Sequence, residues 1–125
     1  MIKRLVFFVF LTFLTLSGYS NASEVDTLLS KAKKEGKIIM LELGSVGCVP
    51  CEQMKPVIEK LRTNYRGKLE VLFVDVRNDK ETSRRFKVFA IPTQVFLDRN
   101  GNEFHRHMGF YGYEEIEPVL KKAGL

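Results

Sequence analysis

The chain contains two cysteines, Cys48 and Cys51, and only Val49 and Pro50 separate them. A helix is predicted to begin at Val49, which places Cys48 at a helix N-terminus, where free backbone N–H groups and the helix dipole favour a negative charge. Such a position lowers the pKa of a thiol, and the thiolate is the attacking species. Cys51 lies three residues on and can attack the resulting mixed disulfide. The spacing therefore predicts reversible dithiol–disulfide exchange, in which Cys48 attacks and Cys51 resolves.

Other uses of a cysteine pair fit this sequence less well. A crosslink across so short a loop restricts the unfolded chain little, by about 2 kcal/mol, so stapling is a weak reason for the pair. A zinc site needs further ligands, and beyond the two cysteines the sequence offers only His105 and His107 as zinc-binding nitrogens. A haem attachment site needs histidine where Glu52 stands. Copper or metal handling and an inert disulfide remain alternatives to redox chemistry.

Hydrophobic patterning and turn signals predict an alternation of helices and strands around this pair. The predicted helices cover residues 23–35, 49–62, 78–86 and 113–122, and the predicted strands cover 38–43, 69–76, 93–97 and 103–108. Strand–helix–strand units predict parallel pairing, and the Asn100-Gly101 turn predicts a hairpin with an antiparallel edge. The expected fold is α/β, with a central mixed four-stranded sheet and helices on both faces.

The N-terminal segment is predicted to be an export signal rather than part of the domain. Lys3 and Arg4 precede an apolar run over 5–16, and Ser20 and Ala22 form a small-x-small pattern. We expect a signal peptide over 1–22, cleaved after Ala22, and one domain over 23–125; an uncleaved membrane anchor is the alternative. Removing Lys3 and Arg4 lowers the formal charge from +5 to +3, a scattered excess that argues against nucleic-acid binding.

Several motifs beyond the cysteines resemble the thioredoxin family over almost the whole predicted domain. Glu42 lies six residues before Cys48, where the family has a buried acid, and Pro56 lies five residues after Cys51, where the family has a helix-kinking proline. Ile91-Pro92-Thr93 is similar to the family segment whose proline is cis and faces the cysteine pair, and Gly109 matches a family glycine. The resemblance implies a thioredoxin-like fold, Glu42 as a proton carrier, and a substrate groove shaped by Ile91, Pro92, Val49 and Pro50.

Departures from ordinary thioredoxin indicate an exported branch. Gly47 replaces the usual aromatic residue, Glu52 follows the second cysteine, and Phe73 occupies the position of a family lysine. These features resemble exported thioredoxin-like reductases and the soluble domain of transmembrane electron transporters. The resemblance implies a periplasmic or otherwise extracytoplasmic location. We expect no cofactor, because the electrons reside in the two sulfurs, and a monomer by default. The resemblance also implies a reductase of protein disulfides, with apocytochrome c as one plausible client and a membrane electron transporter as reductant. A disulfide oxidase or isomerase is the alternative.

Individual residues also have purely structural interpretations. Glu42 in an apolar strand is expensive if it is ionised and unpaired, so it is either a buried proton carrier or a strand-end residue that reaches solvent. Pro92 is otherwise a strand-entry proline. We expect a core position for Phe86, Val88 and Phe89. The aromatic residues after the last strand either form a rim that receives partners or pack under the last helix; they are Phe110, Tyr111 and Tyr113.

Overall fold

The computed structural model describes residues 23–125 and contains the predicted alternation of helices and strands. The helices are α1 (Glu24–Lys34), α2 (Val49–Asn64), α3 (Lys80–Arg85) and α4 (Tyr113–Lys122), and the strands are β1 (Ile38–Gly44), β2 (Leu69–Asp75), β3 (Thr93–Leu97) and β4 (Glu103–Met108). The predicted boundaries agree with these to within two residues. The predicted signal peptide lies outside the described residues. Within residues 23–125 no helix is long and apolar enough to cross a membrane.

The four strands form one mixed sheet, as the sequence predicted, and their order in it is β2-β1-β3-β4. β1 pairs parallel with β2 and antiparallel with β3, and β3 and β4 form the predicted antiparallel hairpin. All seven residues of β1 are buried, because this strand is central and is covered on both faces.

The parallel pairing predicted for every strand–helix–strand unit is wrong for β3. A parallel return must carry the chain back along the whole sheet, and a seven-residue strand spans about 23 Å. α3 has six residues and advances about 9 Å, so it is not a crossover helix that runs the length of the sheet. The chain enters β3 at the edge where it left β2, and Thr93 pairs with Leu43 near the end of β1. As a result, the ends of β1 and β2 and the start of β3 meet at one edge of the sheet.

Two hydrophobic cores lie on opposite faces of the sheet. The first contains Ile38 and Met40 of β1 together with residues of α2 and α4, and the second contains Ile39, Leu41 and Leu43 together with residues of α1 and of the segment after α3. This alternation follows from the two-residue period of a strand. It also confirms that helices flank both faces.

We expect Phe96→Ala to lower the free energy of unfolding by about 3–5 kcal/mol, because Phe96 is fully buried in the first core and its removal leaves a cavity. Phe89→Ala is the matched control, because the Phe89 side chain is 89% exposed and should change the free energy by less than about 0.5 kcal/mol. Urea unfolding of the oxidised protein measures both. Similar losses in the two variants would contradict this assignment of the core.

Candidate functional site

Cys48 is the N-cap of α2, at the helix terminus that the sequence predicted. Its backbone is extended, and its sulfur accepts a hydrogen bond from the backbone N–H of Cys51 at 3.4 Å. Gly47 precedes it with φ of +79°, a left-handed conformation that glycine adopts without strain. Pro50 lies in the first turn of the helix, where the missing N–H breaks no helical hydrogen bond. The N–H groups at this helix end stabilise negative charge on the Cys48 sulfur.

Cys48 and Cys51 form a disulfide in this structure, with their Cα atoms 5.2 Å apart. The two sulfurs differ in access, since Cys48 is only partly buried and Cys51 is 5% exposed. Val49, one of the predicted groove residues, is 70% exposed beside Cys48, whereas Pro50 is partly buried. A partner can therefore reach the Cys48 sulfur more readily than the Cys51 sulfur. This asymmetry agrees with attack by Cys48 and resolution by Cys51.

Gly44 allows Cys51 to lie directly on the end of β1. A Cβ atom at position 44 would lie 3.1 Å from the sulfur of Cys51 and 3.3 Å from the Phe73 ring, closer than side chains normally pack. The predicted strand over 38–43 stops short of Gly44, which had no predicted role. In a sequence, a glycine at the end of a buried strand indicates that another part of the chain can approach the backbone closely at that position.

Glu42 is buried in the middle of the sheet, on the α2 face. It is 1% exposed, so the interpretation as a strand-end residue that reaches solvent is wrong. It lies two residues from both Met40 and Gly44, and therefore on the same face as the first core and the Cys51 contact. Burial raises the pKa of its carboxyl to about 7, while a hydrogen bond from Gln94 opposes that rise. A carboxyl with this pKa can take up or release a proton near neutral pH beside Cys51.

Pro92 immediately precedes β3, at the edge of the sheet where β1 ends. It is buried, the Ile91–Pro92 peptide bond is cis, and the Pro92 carbonyl accepts a hydrogen bond from Gly109 N–H at 2.7 Å. Ile91 is partly buried and packs against the second core. The structure thus places the predicted groove residues at the same end of the sheet as the cysteine pair.

Exposed apolar side chains are concentrated in segments at this end of the molecule. They form what we call the apolar rim: Val46, Val49, Phe89, Met108 and Phe110. The predicted core position of Phe89 is wrong, although Phe86 and Val88 do pack against the second core. Lys87 has φ of +50°, and after this bend Val88 packs inward while Phe89 projects outward.

The aromatic residues after β4 divide between the two interpretations that the sequence left open. Phe110 is 46% exposed and belongs to the apolar rim, whereas Tyr111 is buried and Tyr113 packs against the first core. His107 stacks on Tyr111 with ring centroids 3.9 Å apart, and His105 shares a 3.0 Å hydrogen bond with the Tyr111 hydroxyl. Among residues 23–125 no group of three or more metal-binding side chains is clustered.

A cavity of about 460 Å³ lies beside Cys51, on the side opposite the predicted groove. Ile58 and Phe73 contribute apolar surface to it, and its rim carries the ion pairs Lys55–Glu52 and Arg62–Glu59. The cationic and anionic side chains of this rim are thus paired with one another. Phe73 is 47% exposed here and lies opposite Glu42 in the β1–β2 register.

Comparison with known proteins agrees with this geometry. The model of the thioredoxin-like domain family matches residues 25–124. A thioredoxin from Staphylococcus aureus is 30% identical over 91 residues, which cover 73% of this chain and 86% of the relative. Among solved structures, a poplar thioredoxin h superposes with a TM-score of 0.70 at 26% identity, covering 81% of this chain and 89% of that chain. The germline-specific thioredoxin Deadhead of Drosophila melanogaster gives 0.68 at 28% identity, covering 78% and 91%.

A mixed sheet with a cysteine pair at a helix N-terminus defines a thiol–disulfide oxidoreductase of thioredoxin-like fold. The chain belongs to the thioredoxin family, and its redox centre is the Cys48–Cys51 disulfide. Sequence reasoning identified both cysteines and Glu42. It missed Gly44 and Gln94, whose importance comes from contacts across the sheet.

We expect Glu42→Gln to stabilise the oxidised protein at alkaline pH. The folded pKa of Glu42, about 7, lies above the ordinary value of 4.5, so the unfolded chain releases this proton first. Glu42 therefore removes stability as pH rises from 4.5 to 7, by about 3 kcal/mol in total, and the loss is complete above pH 7. Denaturant unfolding at pH 4 and pH 8 should show that the advantage of the variant grows by about this amount.

Glu81→Gln is the control for this measurement, because Glu81 is exposed on α3. Its unfolding free energy should follow that of the wild type at both pH values. An advantage of Glu42→Gln that is the same at pH 4 and pH 8 would contradict the raised pKa.

Proposed function

We propose that the protein is an exported thiol–disulfide reductase that transfers two electrons from Cys48 and Cys51 to disulfides of protein clients. The observation that carries this proposal is the unequal access to the two sulfurs: the more accessible Cys48 lies at a helix N-terminus, and the buried Cys51 contacts the sheet on the same face as Glu42. In the reduced protein the Cys48 thiolate attacks a client disulfide. Cys51 then loses its proton, attacks the Cys48 sulfur, and releases the client as a dithiol.

The reducing direction is supported by the modest stabilisation available to the Cys48 thiolate. Strong oxidants of this chemistry are those whose reduced form is stabilised. Here the residues between the cysteines, Val49 and Pro50, carry no charge that would stabilise a neighbouring thiolate. Pro50 and Ile91 also resemble the reducing members of the family. A weakly stabilised thiolate favours donation of electrons to a client.

The apolar rim is evidence that the clients are proteins, and that they present an extended, apolar segment around their cysteines. Phe89 is the most exposed member, at 89%, and Val46 and Val49 follow at 70% each; such side chains gain free energy when a partner covers them. An unfolded polypeptide such as apocytochrome c before haem attachment offers segments of this kind. Pro92 and Ile91, at the same edge, are proposed to shape the groove in which the client lies.

Export and a membrane reductant complete the proposal. The segment over 1–22 has the charge, apolar run and small residues of a signal peptide. In an oxidising compartment a reductase must receive electrons from inside the cell, and a membrane electron transporter is the proposed donor. The protein is proposed to work as a monomer and to need no cofactor, because the two sulfurs hold the electrons.

Replacing the resolving sulfur should trap clients. We expect tagged Cys51→Ser protein, expressed as the full chain, to accumulate mixed disulfides through Cys48, because the second sulfur attack is lost. Non-reducing gels and mass spectrometry of captured proteins measure this. Cys48→Ser is the matched control and should capture few partners; the reverse pattern would overturn the assignment of roles.

The reduction potential tests the direction. We expect a value near −270 mV, comparable to thioredoxin, when the protein is equilibrated in thiol–disulfide buffers, quenched by alkylation and weighed. A value near about −120 mV would identify an oxidant and contradict the proposal. Tight stoichiometric binding of Cu(I) or Zn(II) by the reduced pair, with negligible disulfide reduction, would instead support the metal-handling alternative.

A further inference from the structure

Gln94 is a fully buried polar residue at the centre of the sheet. It lies on β3 directly opposite Glu42 of β1, and its side chain is 0% exposed. Its amide nitrogen Nε2 is 3.4 Å from Glu42 Oε1 and 3.2 Å from the carbonyl oxygen of Gly109. The two N–H groups of the amide therefore serve two acceptors, one on the candidate proton carrier and one in the loop after β4.

The Gly109 carbonyl fixes which way this amide points. A carbonyl oxygen only accepts hydrogen bonds, so the nitrogen of Gln94, and not its oxygen, must lie on that side. The same orientation directs an N–H toward Glu42 Oε1. Gln94 can therefore donate to the ionised carboxylate of Glu42.

Two buried side-chain polar atoms in the described part of the chain lack a hydrogen-bond partner, and both belong to this pair. They are Glu42 Oε2 and Gln94 Oε1. With an ionised Glu42 both atoms are acceptors and neither can satisfy the other. A proton on Glu42 Oε2 would supply a donor where none is present, and a carboxylic acid that faces an amide can form two parallel hydrogen bonds with it. The Gln94 amide can thus form a hydrogen bond with Glu42 in either protonation state of the carboxyl.

We propose that Gln94 is a positioning residue that allows buried Glu42 to take the proton of Cys51 and to return it. This rests on the proposed function, in which Cys51 resolves the mixed disulfide. In that step the S–H bond of Cys51 breaks and an O–H bond forms on Glu42. The Cys51 sulfur bonds to the Cys48 sulfur, and the bond between Cys48 and the client breaks. The electron pair of that bond leaves on the client sulfur.

Without the amide, burial would raise the pKa of Glu42 further above neutral pH and keep its carboxyl largely in the neutral form at pH 7. Burial is the larger influence on its pKa and raises it, whereas the Gln94 hydrogen bond lowers it toward neutral pH. A neutral Glu42 cannot accept the Cys51 proton. Gln94 therefore makes a buried carboxyl usable as a base, which an apolar residue at position 94 would not do.

Within residues 23–125, Gln94 is the one group that donates a hydrogen bond to the Glu42 carboxyl. On the same sheet face, α2 contributes Cys51, β2 contributes the apolar Phe73, β4 contributes His107 opposite Gln94, and the following loop contributes Tyr111. The charged residues that line the nearby cavity form ion pairs with one another: Lys55 with Glu52 and Arg62 with Glu59. The pKa of Glu42 responds to burial and to Gln94.

The test is the pH dependence of client-disulfide reduction by Gln94→Met, which keeps an unbranched side chain of similar length and removes the amide. Loss of a hydrogen bond to a charged group should move the Glu42 titration upward by roughly one to two pH units. We expect the rate to fall roughly five- to fiftyfold at pH 7 and to recover toward the wild-type value at pH 9. Gln94→Leu is a second variant in case the first folds poorly.

Three controls separate a positioning role from a packing role. Gln53→Met makes the same substitution at an exposed position of α2 and should keep the wild-type profile. Alkylation of reduced Cys48 by iodoacetamide needs no proton transfer from Cys51 and should be unchanged in Gln94→Met. In a Glu42→Gln background, Gln94→Met should cause no further pH-dependent loss. A loss that is uniform across pH, or a profile identical to wild type, would overturn the proposal.

Carbon-13 NMR of the labelled Glu42 carboxyl tests the same proposal without any client. The titration midpoint should be near pH 7 in the wild type and higher in Gln94→Met. If the wild type fails to reduce client disulfides while this shift is observed, the proposed function is wrong, but the effect of Gln94 on the pKa of Glu42 is confirmed. An unchanged midpoint in Gln94→Met overturns the role of Gln94 whatever the activity.

Discussion

The close contact between Gly44 and the sulfur of Cys51 is the constraint on which the site depends. Because position 44 has no side chain, the first turn of α2 lies directly on the end of β1. The helix terminus then directs Cys48 outward, while Cys51 is held against the sheet on the face that carries Glu42. A side chain at this position would force the Cys51 sulfur or the Phe73 ring to move by a few tenths of an ångström.

The second determinant is the antiparallel direction of β3. After α3 the chain re-enters the sheet at the edge it has just left, and Pro92 reaches the same end as Cys48. A parallel β3 would begin at the far end of the sheet. The predicted groove residues and the cysteines are neighbours because of this direction, although more than forty positions separate Cys48 from Pro92 in the chain.

Much of this arrangement could be predicted because it is local. Apolar runs predicted the strands, and glycine and proline residues predicted where the helices and strands end. The spacing of Cys48 and Cys51 predicted thiol–disulfide exchange, and the resemblance of Glu42 to a family acid predicted that its carboxyl is buried. The antiparallel direction of β3, the bridging amide of Gln94 and the outward position of Phe89 depend on which strands become neighbours and on one backbone bend at Lys87. These are properties of the assembled sheet, and patterns along a single strand carry no record of them.

The apolar rim has a consequence for how such a protein can diversify. Its members come from separate segments of the chain, and Phe89 in particular extends into solvent and lies outside both cores. If the apolar rim receives clients as proposed, folding is carried by one set of residues and client recognition by another, so the two properties can vary independently. Substitutions at Phe89 or Phe110 would then redirect the protein to new clients while the redox centre and the stability of the domain are retained, and this surface would be the place where proteins with the same catalytic core specialise.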